Sequence, residues 1–324
     1  MRELTARRDL PALLQCLGLL AVYAGTGAIA FYFFSIQMWG LMVVACYVHS
    51  MFHGFLGMEA TVHELSHGTA FKTKWLNEFF YRLFSFLTWN NPIHFRGSHA
   101  RHHQLTAHRG LDQEVILVPH PFSFWHYLGM ITFDWQKFKM IMFPNIAHVF
   151  GRDSIDVFAW NPLFEKDDPR RKQMFRWARW TMVGHLALVA VFVYFQWWVL
   201  IYLVTLSYFF ADFLPRGCGM QQHIGLSPDV PDWRLSCHTM RFGPVMSFLY
   251  WNMNYHIEHH MYAAVPYFNL PKLHKALEAD MPKPVRGFFR GLGRVLSVQR
   301  KQREDEAYVF VPDLPATAAP ARLA

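Results

Sequence analysis

Between Leu13 and Phe34 the chain runs for 22 residues without a formal charge. A helix of that length rises about 33 Å, enough to cross a hydrocarbon core of about 30 Å. Inside lipid only helices and closed barrels satisfy their own backbone, so this run excludes most soluble architectures. A second apolar run, Met38 to Met58, ends at Glu59, and the polar turn Ser35 to Gly40 between the two predicts a helical hairpin. A third run, Trp180 to Ala211, extends for 32 residues. As one helix it would measure about 48 Å, too long for one span, whereas two full spans would want about 40 residues.

The remaining composition agrees with partial immersion in lipid. Hydrophobic residues make up 53%, aromatics 17% and charged residues only 17%, with 31 Phe and 12 Trp. In a soluble chain the net charge of +8 would suggest a nucleic-acid partner. Here it is read as basic segments facing the cytoplasm and anionic headgroups, and no nucleic acid is expected. The basic N-terminus with Arg2, Arg7 and Arg8 places the chain ends on the cytoplasmic side, and the apolar run that follows exceeds a signal-peptide core.

Histidine placement carries the chemistry. His63 and His67 frame the sequence H-E-L-S-H, which matches the zinc-protease signature with Glu64 as general base, and serves equally as the first two ligands of a larger cluster. His99, His102 and His103 form H-x-x-H-H, and His256, His259 and His260 repeat it. On a helix, offsets of 0, 3 and 4 fall within an arc of about 100°, so each trio shows three imidazoles on one face. His223, after Gln221 and Gln222, is a ninth candidate. A lone histidine is ordinarily structural, but two trios beside an H-x-x-x-H have no comparable structural excuse. Nine imidazoles exceed what one ion accepts, so two metals are expected. Imidazole suits zinc, copper, iron and nickel alike; the surplus of neutral ligands beside lipid favours redox iron.

The H-E-L-S-H-G-T of His63 to Thr69, the two H-x-x-H-H boxes, Gln222 with His223, the run Asn254 to His260 and the V-P-Y-F-N-L-P of Val265 to Pro271 together resemble the membrane fatty acid desaturase and hydroxylase superfamily. The resemblance covers residues 38 to 275. It implies a non-haem centre of two iron ions that activates O2 as co-substrate. Three residues between His63 and His67 look more like the acyl-lipid desaturases, alkane hydroxylases and carotenoid ketolases than the acyl-CoA desaturases. No fused cytochrome b5 domain is visible, so a separate ferredoxin, rubredoxin or similar carrier is the expected electron donor. The expected reaction is desaturation of a fatty acyl chain of a membrane lipid. The alternatives are hydroxylation or oxygenation of a hydrocarbon, carotenoid or other small substrate, and, in another class, a membrane zinc metalloprotease.

Ligands shared across the third run require an even number of crossings between boxes two and three. Trp180 to Ala211 is therefore read as the middle of a hairpin turning near Gln196. The expected fold is an all-α, multi-pass membrane protein with four transmembrane helices in two hairpins, at about 13–34, 38–58, 177–196 and 198–215. A cytoplasmic cap of 59–176 and 216–275 holds the di-iron site, and 276–324 form a basic segment with a flexible tail. Imidazoles need partners on their second nitrogen, for which Asp112, Glu114, Glu258, Glu64, Asn252 and Asn254 are the nearest candidates. If the second span runs unbroken into box one, His49 lies on the His63 stripe about 21 Å deeper, with His53 at its edge. Both are candidate lining of a substrate tunnel, since an ionisable side chain inside a membrane calls for a function.

Overall fold

The computed structural model describes residues 1–112, 114, 122–153 and 163–321. It is mostly helical. Helix α1 (Asp9–Ser35) and α2 (Trp39–His53) form the first hairpin, and α8 (Pro169–Tyr194) with α9 (Trp198–Phe209) forms the second. Each hairpin reverses on a glutamine in the left-handed region, Gln37 at φ 59° and Gln196 at φ 60°. Large apolar side chains stay uncovered along these helices, including Leu14, Val43, Val44, Val183 and Leu186. Such a surface suits lipid, and the chain is a membrane protein.

Three helical stretches are long and apolar enough to cross a bilayer: Asp9–Ser35, Trp39–Ser66 and Pro169–Tyr194. The expected fourth span is shorter than predicted. Helix α9 changes from α to π winding over Ile201–Leu206 and to a 3-10 turn over Ser207–Phe209, and the chain then breaks at Ala211, φ 48°. The second span is not continuous with box one either. After His53 comes a 3-10 turn, Gly54–Leu56, then extended backbone at Gly57, before α3 (Thr61–Ser66) begins. The second hairpin's end wedges into this break. A Cβ on Gly57 would lie 2.0 Å from Tyr208 Oη, and one on Gly54 would lie 2.4 Å from Pro215 Cγ.

The break removes the helical stripe that aligned His49 and His53 with His63. His49 instead bonds Thr26 Oγ1 at 2.9 Å and the Leu203 carbonyl at 3.0 Å, while His53 bonds Ser207 Oγ at 2.7 Å and the Leu87 carbonyl at 3.2 Å. Both rings thus tie α2 to its neighbours by hydrogen bonds made inside the protein.

The cap is built on α4 (Lys74–Leu87), α5 (Pro92–Leu105), α6 (Phe124–Ile131) and α7 (Trp135–Val149). The aromatics Trp75, Phe79, Phe124, Trp125 and Trp135 on α4, α6 and α7 are exposed, as interface helices require. Asn90 and Asn91 join this layer to α8, through Trp177 Nε1 to the Asn90 carbonyl and Asn91 Nδ2 to the Met174 carbonyl. Where α7 meets the end of the second hairpin, Lys137 Nζ lies 2.8 Å from Asp212 Oδ1, both side chains wholly buried. After α10 (Phe213–His223), the short helices α11 (Trp233–Ser236), α12 (Pro244–Leu249), α13 (His256–Met261) and α14 (Leu270–Leu277) complete the cap.

Among the described residues the fold departs from all-α in a parallel pairing of Met240–Arg241 with Val285–Arg286 and in isolated bridges between Phe133 and Phe210 and between Thr239 and Tyr255. The basic C-terminal segment forms α15 (Phe288–Glu304), which packs on α10. The tail beyond Pro312, expected to be flexible, is tied down as far as residue 320 by Ala319 N to Asp280 Oδ1 and by Arg234 to the Ala319 and Pro320 carbonyls. Its last three residues, 322–324, lie outside the described residues.

Candidate metal centre

Three short helices and the end of a fourth bring the boxes together. Helix α5 starts at Pro92, with the Asn91 side chain accepting from the Ile93 and His94 amides, so the proline opens the helix carrying box two. Helix α3 carries His63 and is followed at once by His67; α13 carries the third trio, and His223 is the last residue of α10. Box one is set against box three by two buried bonds. Trp251 Nε1 donates to Thr61 Oγ1 at 2.8 Å, and the Tyr267 amide donates to Glu64 Oε1 at 3.1 Å.

All nine predicted histidines converge. Ligand nitrogens of His63, His67, His99, His103 and His259 lie within 4.8 Å of one another, and so do those of His102, His223 and His260. His256 faces the second group, its Nε2 2.9 Å from His223 Nε2 and 3.0 Å from His260 Nε2. The groups adjoin, with the His103 and His260 rings stacked at 4.2 Å.

The outer nitrogens explain why the inner ones face each other. His102 Nδ1 is 2.8 Å from Asp112 Oδ2, His99 Nδ1 is 2.8 Å from Glu114 Oε2, and His223 Nδ1 is 3.0 Å from the Ser236 carbonyl. A carbonyl or carboxylate there draws the ring proton to Nδ1 and leaves a lone pair on Nε2. His99 Nε2 then lies 3.1 Å from both His67 Nε2 and His103 Nε2, while His63 and His259 approach at 3.0 Å. Burial holds His67 and His223 down to about 3, so both rings are neutral near pH 7. A set of inward lone pairs at these distances is what a divalent cation relieves, and the residues fit a two-metal site.

The acidic neighbours divide. Burial works to raise Asp112, but its bond to His102 and the Ala107 and Glu114 amides outweigh this and hold it below the usual carboxylate range. Burial pushes Glu114 up to about 7. The other candidates have different partners among the described residues. Glu258 accepts from Thr239 Oγ1 and pairs with His274 Nδ1, joining α13 to α14. Glu64 holds Tyr267, Asn252 donates to the Tyr267 carbonyl, and Asn254 donates to the Met240 carbonyl. They brace the helices that carry the ligands rather than the rings themselves. Two ring partners escaped sequence reasoning, Thr106 Oγ1 on His260 Nδ1 and the Ser236 carbonyl, because neither an isolated threonine nor a backbone carbonyl has a sequence signature.

A cavity of about 320 Å³ opens onto His63, His99, His102 and His223 and continues past Met140 and Ile141 on α7. His49 and His53 are not among its lining residues.

The sequence profile of the fatty acid desaturase family matches residues 37–291. The chain belongs to the fatty acid desaturase family. The chain is also 25% identical over 220 residues to a sphingolipid delta(4)-desaturase DES1-like protein of Oryza sativa subsp. japonica. That match takes in 65% of this chain and 57% of the rice protein's own length, so the chain aligns with a little over half of that desaturase.

Proposed function

We propose that this desaturase-family chain is an O2-dependent di-iron oxidoreductase that removes two hydrogens from an unactivated position of a fatty acyl chain in a membrane lipid. The observation that carries the reading is the convergence of nine histidine side chains in two adjoining groups, of which His63, His99, His102 and His223 open onto a cavity. His63, His67, His99, His103 and His259 would hold one iron, and His102, His223, His256 and His260 the other. Two irons so bound would supply O2 activation, which with two electrons and two protons from outside turns two C–H bonds into an alkene and O2 into two waters.

The chain's own groups do the rest. Asp112, Glu114, Thr106 and the Ser236 carbonyl hold the rings with Nε2 inward. Met140, Ile141 and Phe95 give the cavity apolar wall on which an alkyl segment is held, and their packing limits water around the reacting carbon. On this reading the spans are 13–34, 38–58, 177–196 and a fourth that starts at 198, expected to reach 215 and shortened here to the apolar helix Trp198–Phe209, and the metal cap is cytoplasmic. A separate ferredoxin- or rubredoxin-like donor would approach the cap. Arg82, Arg96, Arg101 and Arg170 line a groove behind α5, the helix that carries His99, His102 and His103; with Glu78 the one carboxylate among its described lining residues, the groove offers an acidic carrier a net positive surface.

The test is purification with iron, followed by metal counting and mass spectrometry of lipids after supply of O2 and a reduced ferredoxin. Two irons per chain and an O2-dependent loss of two mass units in an acyl chain are expected. Full activity in either His103→Ala or His260→Ala would sink the shared site. Bound zinc with O2-independent proteolysis would return the chemistry to H-E-L-S-H alone.

A further inference from the structure

Helices α6 and α7 are built inside out. On α7, Trp135, Phe143 and Ile146 fall within an arc of about 80° and all three are exposed. The opposite side is buried although it carries Lys137, Asn145 and His148, and from it Met140, Ile141, Pro144 and His148 line the cavity beside the metal histidines. Helix α6 repeats the arrangement, with Phe124, Trp125 and Ile131 exposed and His126 and Met130 on the cavity. A helix facing water does the reverse. Residues 122–150 carry three formal charges, Asp134, Lys137 and Lys139. Asp134 pairs with Arg216 at 3.2 Å and Lys137 with Asp212 at 2.8 Å, while the Lys139 stem is long enough to lift its amine towards headgroups.

Backbone contacts set the depth of these helices. Tyr47 Oη donates to the Ile131 carbonyl at 3.0 Å. Tyr47 lies near the middle of α2, about 12 Å of helical rise from Trp39 and about 9 Å from His53, so the corner between α6 and α7 reaches well inside the first hairpin's span. The same corner is laced to the end of α9, where the Asp134 amide donates to the Phe209 carbonyl and the Ala211 amide to the Thr132 carbonyl, both at 2.8 Å. These bonds pair backbone that α9 leaves open by ending early, at a depth where non-helical chain must find its partners within the protein. At its other end α7 meets the start of the third span, with Arg179 Nε of α8 donating to the Val149 carbonyl at 2.9 Å. The exposed faces of α6 and α7 thus continue the lipid-facing surface of α2 and α8, where Val44, Tyr47, Trp180 and Val183 are exposed.

We infer that α6 and α7 form a re-entrant hairpin immersed in the leaflet on the side of the metal cap, and that the cavity receives its substrate chain from that leaflet across this hairpin. Lipid acyl chains cover Phe124, Trp125, Trp135, Phe143 and Ile146, and one helix diameter, about 10 Å, separates them from the cavity wall. A chain taking this path exchanges one apolar surrounding for another, whereas a path over the aqueous side of the cap would wet each methylene on the way. The route rests on the lipid substrate of the desaturase reading; the immersion does not.

Both are measured without turnover. The four native cysteines are buried, so bimane reaches a cysteine introduced at an exposed site. Metal-loaded protein in nanodiscs is labelled as Trp125→Cys, Phe143→Cys, Val183→Cys or Glu306→Cys and quenched with acyl-brominated phosphatidylcholine or with iodide. Labels at 125 and 143 should follow the one at 183 on the lipid face of α8, with severalfold stronger quenching by brominated lipid than by iodide; the label at 306, on the exposed tail, should show the reverse. Iodide quenching at 125 and 143 equal to that at 306 would overturn the immersion, and shielding from both quenchers would overturn it in favour of a protein partner on this face. For the route, phosphatidylcholine with a diazirine in its acyl chain is photolysed in nanodiscs holding the unlabelled protein, and adducts are mapped by mass spectrometry. Adducts on Met130 or Met140 as well as on the outer face are expected, and Met140→Trp, which fills the cavity, should remove the inner adducts and keep the outer ones. Outer adducts alone in the wild type, or inner adducts unchanged by Met140→Trp, would overturn the route. Inner adducts with no O2-dependent conversion of any lipid would leave the inference standing and remove the oxidase reading.

Discussion

Replacing Asp112 by Asn tests whether the two groups of histidines are two metal sites. Asp112 Oδ2 receives the His102 ring at 2.8 Å and the Ala107 amide at 2.8 Å, while Oδ1 receives the Glu114 amide at 3.0 Å. Asparagine keeps the shape and only one acceptor oxygen. Its NH2 must face either the Glu114 amide or the pair formed by His102 and Ala107, leaving at least one buried donor unpaired at about 1–3 kcal/mol. If the His102 contact is the one lost, the ring proton is free to move to Nε2 and remove that lone pair. Losing such a partner commonly lowers metal affinity by about 10–100-fold. Since His102 belongs with His223 and His260, the loss should fall on one ion, and iron content after dialysis should drop from two per chain towards one. Glu114→Gln acts on His99, in the other group, and should weaken the other ion. Iron counting with titration of the residual affinity separates the two variants. Two tightly held irons in Asp112→Asn, or loss of both at the same chelator concentration, would refute the division into two sites.

Other consequences are more local. Lys137→Met strips Asp212 of its buried partner and should lower stability by about 3–5 kcal/mol, read as a fall in thermal midpoint in detergent; Lys137→Met with Asp212→Leu should recover much of the loss. Glu64→Gln keeps an acceptor for the Tyr267 amide, so O2-dependent activity should be impaired but not abolished, whereas a protease using Glu64 as base would be dead. His49→Phe removes two interhelical hydrogen bonds but leaves the Leu203 carbonyl accepting from Tyr23 and Ser207 and the Thr26 hydroxyl donating to the Val22 carbonyl, so the cost should be about 0.5–1.5 kcal/mol; a changed product distribution at normal stability would place His49 in the substrate path instead. Chelation of the metal should lower the thermal midpoint, because repulsion among the inward lone pairs of His63, His67, His99 and His259 is then unrelieved, and re-addition of Fe(II) should restore it.

The nine imidazoles were legible because their spacing is a property of the helix, and three rings at offsets 0, 3 and 4 share a face wherever that helix lies. The hairpin turns at Gln37 and Gln196 were legible because apolar length is set by lipid thickness. The partners of the rings were less so. Asp112 and Glu114 follow box two closely enough to be suspected, yet Glu64 and Glu258, adjacent to ligands in sequence, point away from the rings and brace Tyr267 and His274. A carboxylate beside a histidine in a helix projects about 100° away from it, so nearness in sequence works against contact.

The chain alone thus determined the ligand types, their helical faces, the apolar hairpins and the family. Only the tertiary structure decided that the second span breaks at Gly57 to admit Tyr208, that His49 and His53 become ties between helices, and that the cavity runs along α7 past Glu59 and His148. The physical reason is the range of the forces involved. Periodicity and hydropathy act within one element and can be read along the chain. Which wall meets which cavity depends on packing between elements far apart in the chain, such as Gly57 with Tyr208, and no local pattern records it.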